Sequence, residues 1–483
     1  MMDPTRALGR LRSSGLMTDL YELTMMQGYW RYEKDVPVVF DVFFRSQPWD
    51  GGFSVFAGLD DVLTTLENMS FSDEEVAWLE STGRFDSQFL KALASFTFDG
   101  DVYAMPEGTT VFPGEPLLRV HARLSAAQLV ESAILNLINF QTLIATKSAR
   151  IVTATHRGTV LEMGMRRAQG PDGALSAARA AYIGGASATS NTFASYVFDI
   201  PVRGTMAHSW VMSFETEREA FERYADLYPD SCIFLIDTYD TLKSGIENAI
   251  AVGKRLHENG KNFGVRLDSG DLQYLSERCR RRLDEAGFPD AKIAASNELD
   301  ERIIAQLIAD GAPIDVWGVG THMVTGGEQA SFPGVYKLAA REYNGALQPV
   351  MKMSDTPEKA SNPGVKQVYR FFSEENGPAG DLIALEGHPP DTSKPVTFHH
   401  PVSEVQRFTL SPCKEVRPLI EPVMREGKRL HEREPLSVLR NRAIGELARF
   451  DGTYKRIINP HIYKVSLSSD LKSLKNAMLE RRA

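Results

Sequence analysis

The sequence predicts an α/β fold: an irregular (β/α) barrel inserted into a split α+β domain. Three observations carry this reading. Short apolar runs alternate with amphipathic helical stretches through the middle of the chain, as a parallel sheet with crossover helices requires. Chemically active residues gather at the C-terminal ends of several of those runs, where a barrel of this type carries its site. The regular alternation is absent on both sides of that region. The barrel is placed at 125–337, and the α+β domain at 1–124 with 338–483.

Before the alternation begins, Leu16, Leu20, Leu23 and Met26 recur at helical spacing with Thr18 and Asp19 as capping types, predicting a helix. Val36–Phe44 (VPVVFDVFF) is β-branched and aromatic and reads as a strand. The stretch from Tyr103 to Leu124, punctuated by Pro106, Gly108, Pro113 and Gly114, predicts two short strands joined by turns. Ser125–Arg150 is helical. The apolar runs that follow are 159–165, 182–188, 202–208, 232–238, 263–269, 292–297 and 314–320. Between them lie helical stretches such as EREAFERYADLY and ELDERIIAQLIADGA. Beyond Lys337, GVKQVYRFF and LIALEG predict strands, PLSVLRNRAIGELARF a helix, and SLSSDLKSLKNAMLERR a terminal helix.

Length and charge narrow the class. At roughly 100–200 residues per domain, 483 residues allow two or three packed units. The formal net charge of -9, from 54 Lys+Arg against 63 Asp+Glu, argues against nucleic-acid or membrane-surface binding. It leaves room for a small anion in a locally positive pocket. Three separated cysteines exclude a disulfide scaffold and a four-cysteine zinc site, and fit a reducing compartment. The first residues, MMDPTRALGRLRSS, lack the apolar core of a signal peptide, and no apolar run reaches spanning length. The expectation is a soluble, cytoplasmic protein.

Four motifs carry chemistry. Gly204-Thr205-Met206-Ala207-His208-Ser209 places a histidine among small neighbours at a predicted strand end. Such a histidine serves as a nucleophile toward phosphate, as an acid–base, or as a packed side chain. In Gly264-Val265-Arg266-Leu267-Asp268-Ser269-Gly270-Asp271, the arginine follows two small or apolar residues and needs an anionic partner. That partner is Asp268, Asp271, or a carboxylate or phosphate ligand. Trp317-Gly318-Val319-Gly320-Thr321 puts two glycines at a strand end, where backbone N–H groups can approach phosphate. The SNELDE stretch from Ser296 offers a further capped helix start. Adjacent Arg166 and Arg167, in a strand-to-helix loop, suit a diphosphate, or else one of them pairs inward and one is solvated. These residues alone define an anion-binding α/β barrel enzyme that handles phosphate.

Taken as ordered blocks, the same segments resemble the nicotinate phosphoribosyltransferases. The blocks include LMTDLYELTM (16–25), RRAQGPDGALSAARAAYIGGASATSN (166–191), GTMAHSWVMSF (204–214), FLIDTYDT (234–241), GVRLDSGDL (264–272), GVGTHMVT (318–325) and NPHIYKVSLS (459–468). The resemblance implies ATP-assisted transfer of phosphoribosyl from 5-phosphoribosyl-1-diphosphate to nicotinate, yielding nicotinate mononucleotide and diphosphate on the Preiss–Handler route to NAD. It implies that His208 is the phosphohistidine, and that Tyr21, Thr205 and Arg266 contact nicotinate. Gly320 matches a phosphoribosyl diphosphate contact, as do Arg166 and Arg167. ATP is the implied co-substrate, Mg²⁺ travels with the diphosphate and ATP oxygens, and the assembly is a homodimer in which Tyr21 serves the neighbouring barrel.

The amide-using relatives of this family carry an acidic side chain in the loop that corresponds here to Gly185-Ala186-Ser187-Ala188-Thr189. Ser187 at that position favours a carboxylate substrate, because a second negative charge there would repel it. A silent relative that binds pyridine nucleotides would have lost the phosphate-handling residues, and His208, Arg266 and Gly320 are all present. A Schiff-base lyase would want a lysine at a strand end, and the predicted ends offer arginines and aspartates.

Overall fold

The computed structural model describes residues 13–32, 34–156, 158–353, 360–373, 377–411, 413 and 415–481. Most of the N-terminal stretch read above as lacking a signal peptide lies outside them. The chain divides into two compact units, Met1–Leu143 with Ser331–Ala483, and Ile144–Ala330.

In the second unit the apolar runs form a six-stranded, all-parallel sheet. Its order is Ala188–Thr189, Thr159–Glu162, Val316–Val319, Lys292–Ala295, Phe263–Leu267, Cys232–Leu235. The sheet curls as a half-barrel, and its outer strands do not pair with each other. Val265, Leu267, Ile293, Phe234, Trp317 and Val319 are fully buried along it. Each such side chain contributes about 1.5–3 kcal/mol of transfer free energy. Polar caps turn the chain into the helices that follow. Asp271 accepts from the Tyr274 N–H to open Leu272–Glu285, and Asp300 accepts from Arg302 and Ile303 to open Glu301–Ala309. Asn191 accepts from Ala194 to open Thr192–Phe198. These caps set the loops at the C-terminal ends of the strands.

Two predicted strands are corrected. The run 182–188 is divided: an alanine-rich helix, Gly170–Ile183, continues through Tyr182, and strand pairing is confined to Ala188–Thr189. Gly185, at φ +110°, makes the turn between them. The run 202–208 is reduced to one bridge, Thr189 to Val202. A longer ladder would need the Met206 carbonyl, which instead accepts from Arg266, and His208 begins the short helix His208–Met212. The cap role read for Ser296 belongs to Asp300.

The first unit holds a seven-stranded sheet in which Pro37–Phe44 lies between Gly334–Tyr343 and Leu118–Arg123, all antiparallel. Tyr103–Leu124, read as two strands, supplies Thr110–Val111 and Leu118–Arg123 and the end of a third, Asp101–Ala104. A second, six-stranded sheet has Val465–Leu467 and Gly377–Leu385 at its centre, parallel to each other, with Lys366–Ser373 antiparallel to the latter. Helices Leu436–Ala448 and Ser469–Glu480 stand where the sequence predicts them. A 31-residue helical span, Leu124–Ala154, is long and apolar enough to cross a membrane, contrary to the reading above. Its most apolar window is 67% buried in protein, which marks it as a core helix.

Candidate active site

Arg266 sits one residue before the end of Phe263–Leu267, with 16% of its side chain exposed. Its Nε donates to Ser296 Oγ at 2.8 Å, and Nη2 donates to Asp268 Oδ1 at 2.8 Å. Nη1 reaches the Thr205 hydroxyl at 2.7 Å and the Met206 carbonyl at 3.3 Å. A guanidinium has five N–H groups, so one Nη2 N–H remains for a ligand. The two aspartates of the motif divide the work: Asp268 pairs with Arg266, and Asp271 caps the following helix.

Ser296 donates to Asp268 Oδ1, which closes a ring through Arg266. Burial raises the pKa of Asp268, but the hydrogen bonds from Ser296 and Arg266 and the Arg266 charge outweigh it and hold the carboxyl below its ordinary value. The Asp268 backbone N–H donates to Asp237 Oδ2 at 2.9 Å, and the Ser269 hydroxyl donates to the same oxygen at 2.6 Å. The other Asp237 oxygen lies 3.2 Å from His208 Nε2. Asp237 is 2% exposed at its side chain, while His208 is 38% exposed. A carboxylate can only accept, so in the tautomer that makes this hydrogen bond with a neutral ring, Nε2 carries the proton and Nδ1 the lone pair.

Thr205, His208 and Arg266 therefore belong to one network with Asp237, Asp268 and Ser296. Gly320, which caps the turn into Thr321–Thr325, is in close approach to the Arg166 loop. A Cβ on Gly164 would lie 2.8 Å from the Gly320 carbonyl and 2.3 Å from Val324, and one on Gly320 would lie 3.2 Å from the Met163 carbonyl. Arg166 and Arg167 occupy an exposed 3₁₀ turn, Met165–Arg167. Beneath that turn, the buried Glu162 accepts from the Gly164 N–H and from the Thr189 hydroxyl. Burial raises the pKa of Glu162 against those bonds.

Two expected residues stand apart from the network. Ser187 is half-buried, and its backbone N–H bonds the Val160 carbonyl at 2.8 Å. Among the described residues its side chain makes no hydrogen bond to His208, Arg266 or their partners. Tyr21 lies on the helix Leu20–Arg31 of the other unit and is 46% exposed. Partial burial and the carboxylates of Glu131, Glu22 and Asp19 push its phenol well above the usual range. The sequence does not single out Glu162 and offers Ser296 only as a helix cap, because their roles here rest on partners far away in the chain.

A cleft of about 630 Å³ in the first unit contains none of the predicted site residues. Its buried Lys366 is paired with Asp41 at 2.7 Å. The site is therefore defined by the chemistry of its side chains rather than by the size of a cavity.

The fold and this constellation define the class: an α/β protein with an arginine and a histidine joined in one polar network at the ends of its parallel strands. Models of the nicotinate phosphoribosyltransferase N-terminal and C-terminal domains match residues 16–139 and 365–475. The nicotinate phosphoribosyltransferase of Bacillus subtilis is 43% identical over 468 residues, 96% of this chain and 94% of that protein. The crystal structure of human nicotinic acid phosphoribosyltransferase superposes with a TM-score of 0.83 at 31% identity, covering 95% of this chain and 99% of that one. A nicotinate-nucleotide pyrophosphorylase from Pyrococcus furiosus shares the fold, with a TM-score of 0.70 at 22% identity over 90% of this chain and 95% of that one. The chain belongs to the nicotinate phosphoribosyltransferase family.

Proposed function

We propose that the chain couples its family's reaction to ATP through phosphorylation of His208. The family activity converts nicotinate to nicotinate mononucleotide in NAD biosynthesis. The observation that carries the proposal is the hydrogen bond from half-exposed His208 to buried Asp237, within the network that also holds Arg266.

With Nε2–H directed at Asp237, the Nδ1 lone pair is the nucleophile toward the γ-phosphorus of ATP, and ADP leaves. Asp237 stabilises the imidazolium character that develops. Water then attacks the phosphorus, the N–P bond breaks, and phosphate departs. In the transfer itself the pyridine nitrogen forms a bond to the ribosyl anomeric carbon as the bond to diphosphate breaks. Negative charge grows on diphosphate, and the exposed Arg166 and Arg167 are placed on a turn suited to receive it. Gly320 offers backbone approach to the phosphoribosyl group. Arg266 and Thr205 hold the nicotinate carboxylate, Arg266 through its remaining Nη2 N–H. A two-pronged arginine grip on that carboxylate requires Thr205 or Met206 to release Nη1. Ser187 is assigned to discrimination between acid and amide substrates.

No group of three or more His, Cys, Asp or Glu suited to a metal occurs among the described residues. We assign Mg²⁺ to the diphosphate and ATP oxygens and route no step through it. The finer architecture is read as an irregular barrel inserted into a split α+β domain, and the location as cytoplasmic. Exposed Leu20, Tyr21, Trp30 and Tyr32 on or beside one helix support a homodimer in which Tyr21 serves the neighbouring subunit. A monomer with unchanged activity would contradict that assembly.

The test is formation of nicotinate mononucleotide from nicotinate and 5-phosphoribosyl-1-diphosphate, with and without ATP. ATP is expected to raise the rate and to be hydrolysed in step. An ATP-independent rate with no ATP hydrolysis would refute the coupling.

A further inference from the structure

We propose that Ser296 is the positioning residue that fixes the plane of the Arg266 guanidinium, so that the one uncommitted N–H is aimed at the substrate carboxylate. This rests on the assignment of Arg266 to nicotinate.

An arginine on a strand can turn about several bonds, and a single carboxylate partner fixes one edge of its guanidinium. In this site Nη2 is held by Asp268 and Nη1 by Thr205 and Met206, both on a segment without regular strand pairing. Nε is held by Ser296, which follows the strand Lys292–Ala295 next to that of Arg266. Ser296 is 5% exposed and is itself anchored, since its backbone N–H donates to the Leu267 carbonyl at 2.9 Å. The hydroxyl accepts from Arg266 and donates to Asp268, an arrangement that alanine cannot reproduce. The usual reason for a serine before a helix does not apply, because Asp300 caps the helix that follows. Room for the side chain comes from Gly318 on the other neighbouring strand, where a Cβ would stand 3.3 Å from that of Ser296. Directly after it, Asn297 adopts φ +102°, turning the chain away while the serine stays in the network.

Removing the hydroxyl leaves Nε without an acceptor and takes one hydrogen bond from Asp268. The charged and titratable groups around that carboxylate are Arg266, His208 and, through the Asp268 backbone N–H, Asp237. Losing the bond brings the pKa of Asp268 up toward its ordinary value.

The experiment is steady-state kinetics of Ser296→Ala with nicotinate as the varied substrate, across pH, beside a thermal melt that verifies the fold. Loss of a hydrogen bond to a charged group predicts a nicotinate KM raised about tenfold or more, with kcat changed far less. The acid limb of kcat/KM moves to higher pH. An unchanged KM, or a raised KM with the acid limb unmoved, overturns the positioning role. Absence of nicotinate turnover in the parent chain would instead strike the functional assignment on which it rests.

Discussion

Each of the two units contains an arginine–aspartate pair, and the pairs differ in what surrounds them. In the first unit Arg370 and Asp381 are both fully buried. Arg370 Nε lies 3.0 and 3.2 Å from the two Asp381 oxygens, and its Nη2 donates to Asp381 at 2.6 Å and to the Thr110 carbonyl at 2.8 Å. Tyr463 donates to Asp381 at 2.9 Å, and the rings of Phe112, Phe450 and Tyr463 surround the guanidinium. In the second unit Arg266 and Asp268 are 16% and 28% exposed, and their partners are the small hydroxyls of Thr205 and Ser296. Aromatic rings seal the first pair away from ligands, while the second is braced and still reachable. A buried ion pair is thus a brace or a site according to its surroundings, not its charges.

The sharpest way to break this contrast is at the sealed pair. Arg370→Leu leaves Asp381 and the neighbouring Glu115 buried without their cation, and should cost about 3–5 kcal/mol in chemical denaturation. The corresponding change at the open pair, Arg266→Lys, keeps the charge and loses the fork. Its cost appears in catalysis instead: kcat/KM for nicotinate should fall about 100-fold, while stability stays within about 1 kcal/mol. If Arg266→Lys unfolds the protein as Arg370→Leu does, the two pairs are both braces.

A smaller effect separates the pairs by pH. Burial first, and then the Asp381 charge, raise Glu115 well above the ordinary glutamate value. A raised carboxyl contributes stability below its unfolded pKa, and loses it as pH rises toward the folded one. Glu115→Gln should therefore gain stability over the parent chain as pH rises from about 4 to 7, read by thermal melts at each pH. Asp268, held below its ordinary value, acts in the opposite sense: its contribution is present above about pH 4 and is lost on acidification. A pH-independent difference between the Glu115→Gln and parent melts would contradict the burial argument.

The contrast also marks what could be read from the chain. The half-barrel strands were legible because β-branched and small apolar residues recur between helical stretches, and Arg266 was legible as a cation that needs a partner. The segment at 202–208 was not. Its apolar residues suggest a strand, but the group that claims the Met206 carbonyl is Arg266, 60 positions away. Ser296 read as a cap for the same reason: local spacing cannot reveal a hydroxyl shared by Arg266 and Asp268. The sealed pair was equally hidden, since Arg370 and Asp381 face each other across two strands whose register no local pattern records.

The central claim is that His208, oriented by Asp237, accepts the γ-phosphoryl group of ATP and loses it to water, which couples ATP hydrolysis to the transfer reaction. The most direct measurement is incubation of the parent chain and a His208→Ala variant with γ-labelled ATP, followed by detection of acid-labile protein phosphate and the rate of nicotinate mononucleotide formation. Label on His208 in the parent, with none on the variant and no ATP-coupled rate there, is the predicted result. A His208→Ala protein that retains full ATP-coupled turnover would contradict it.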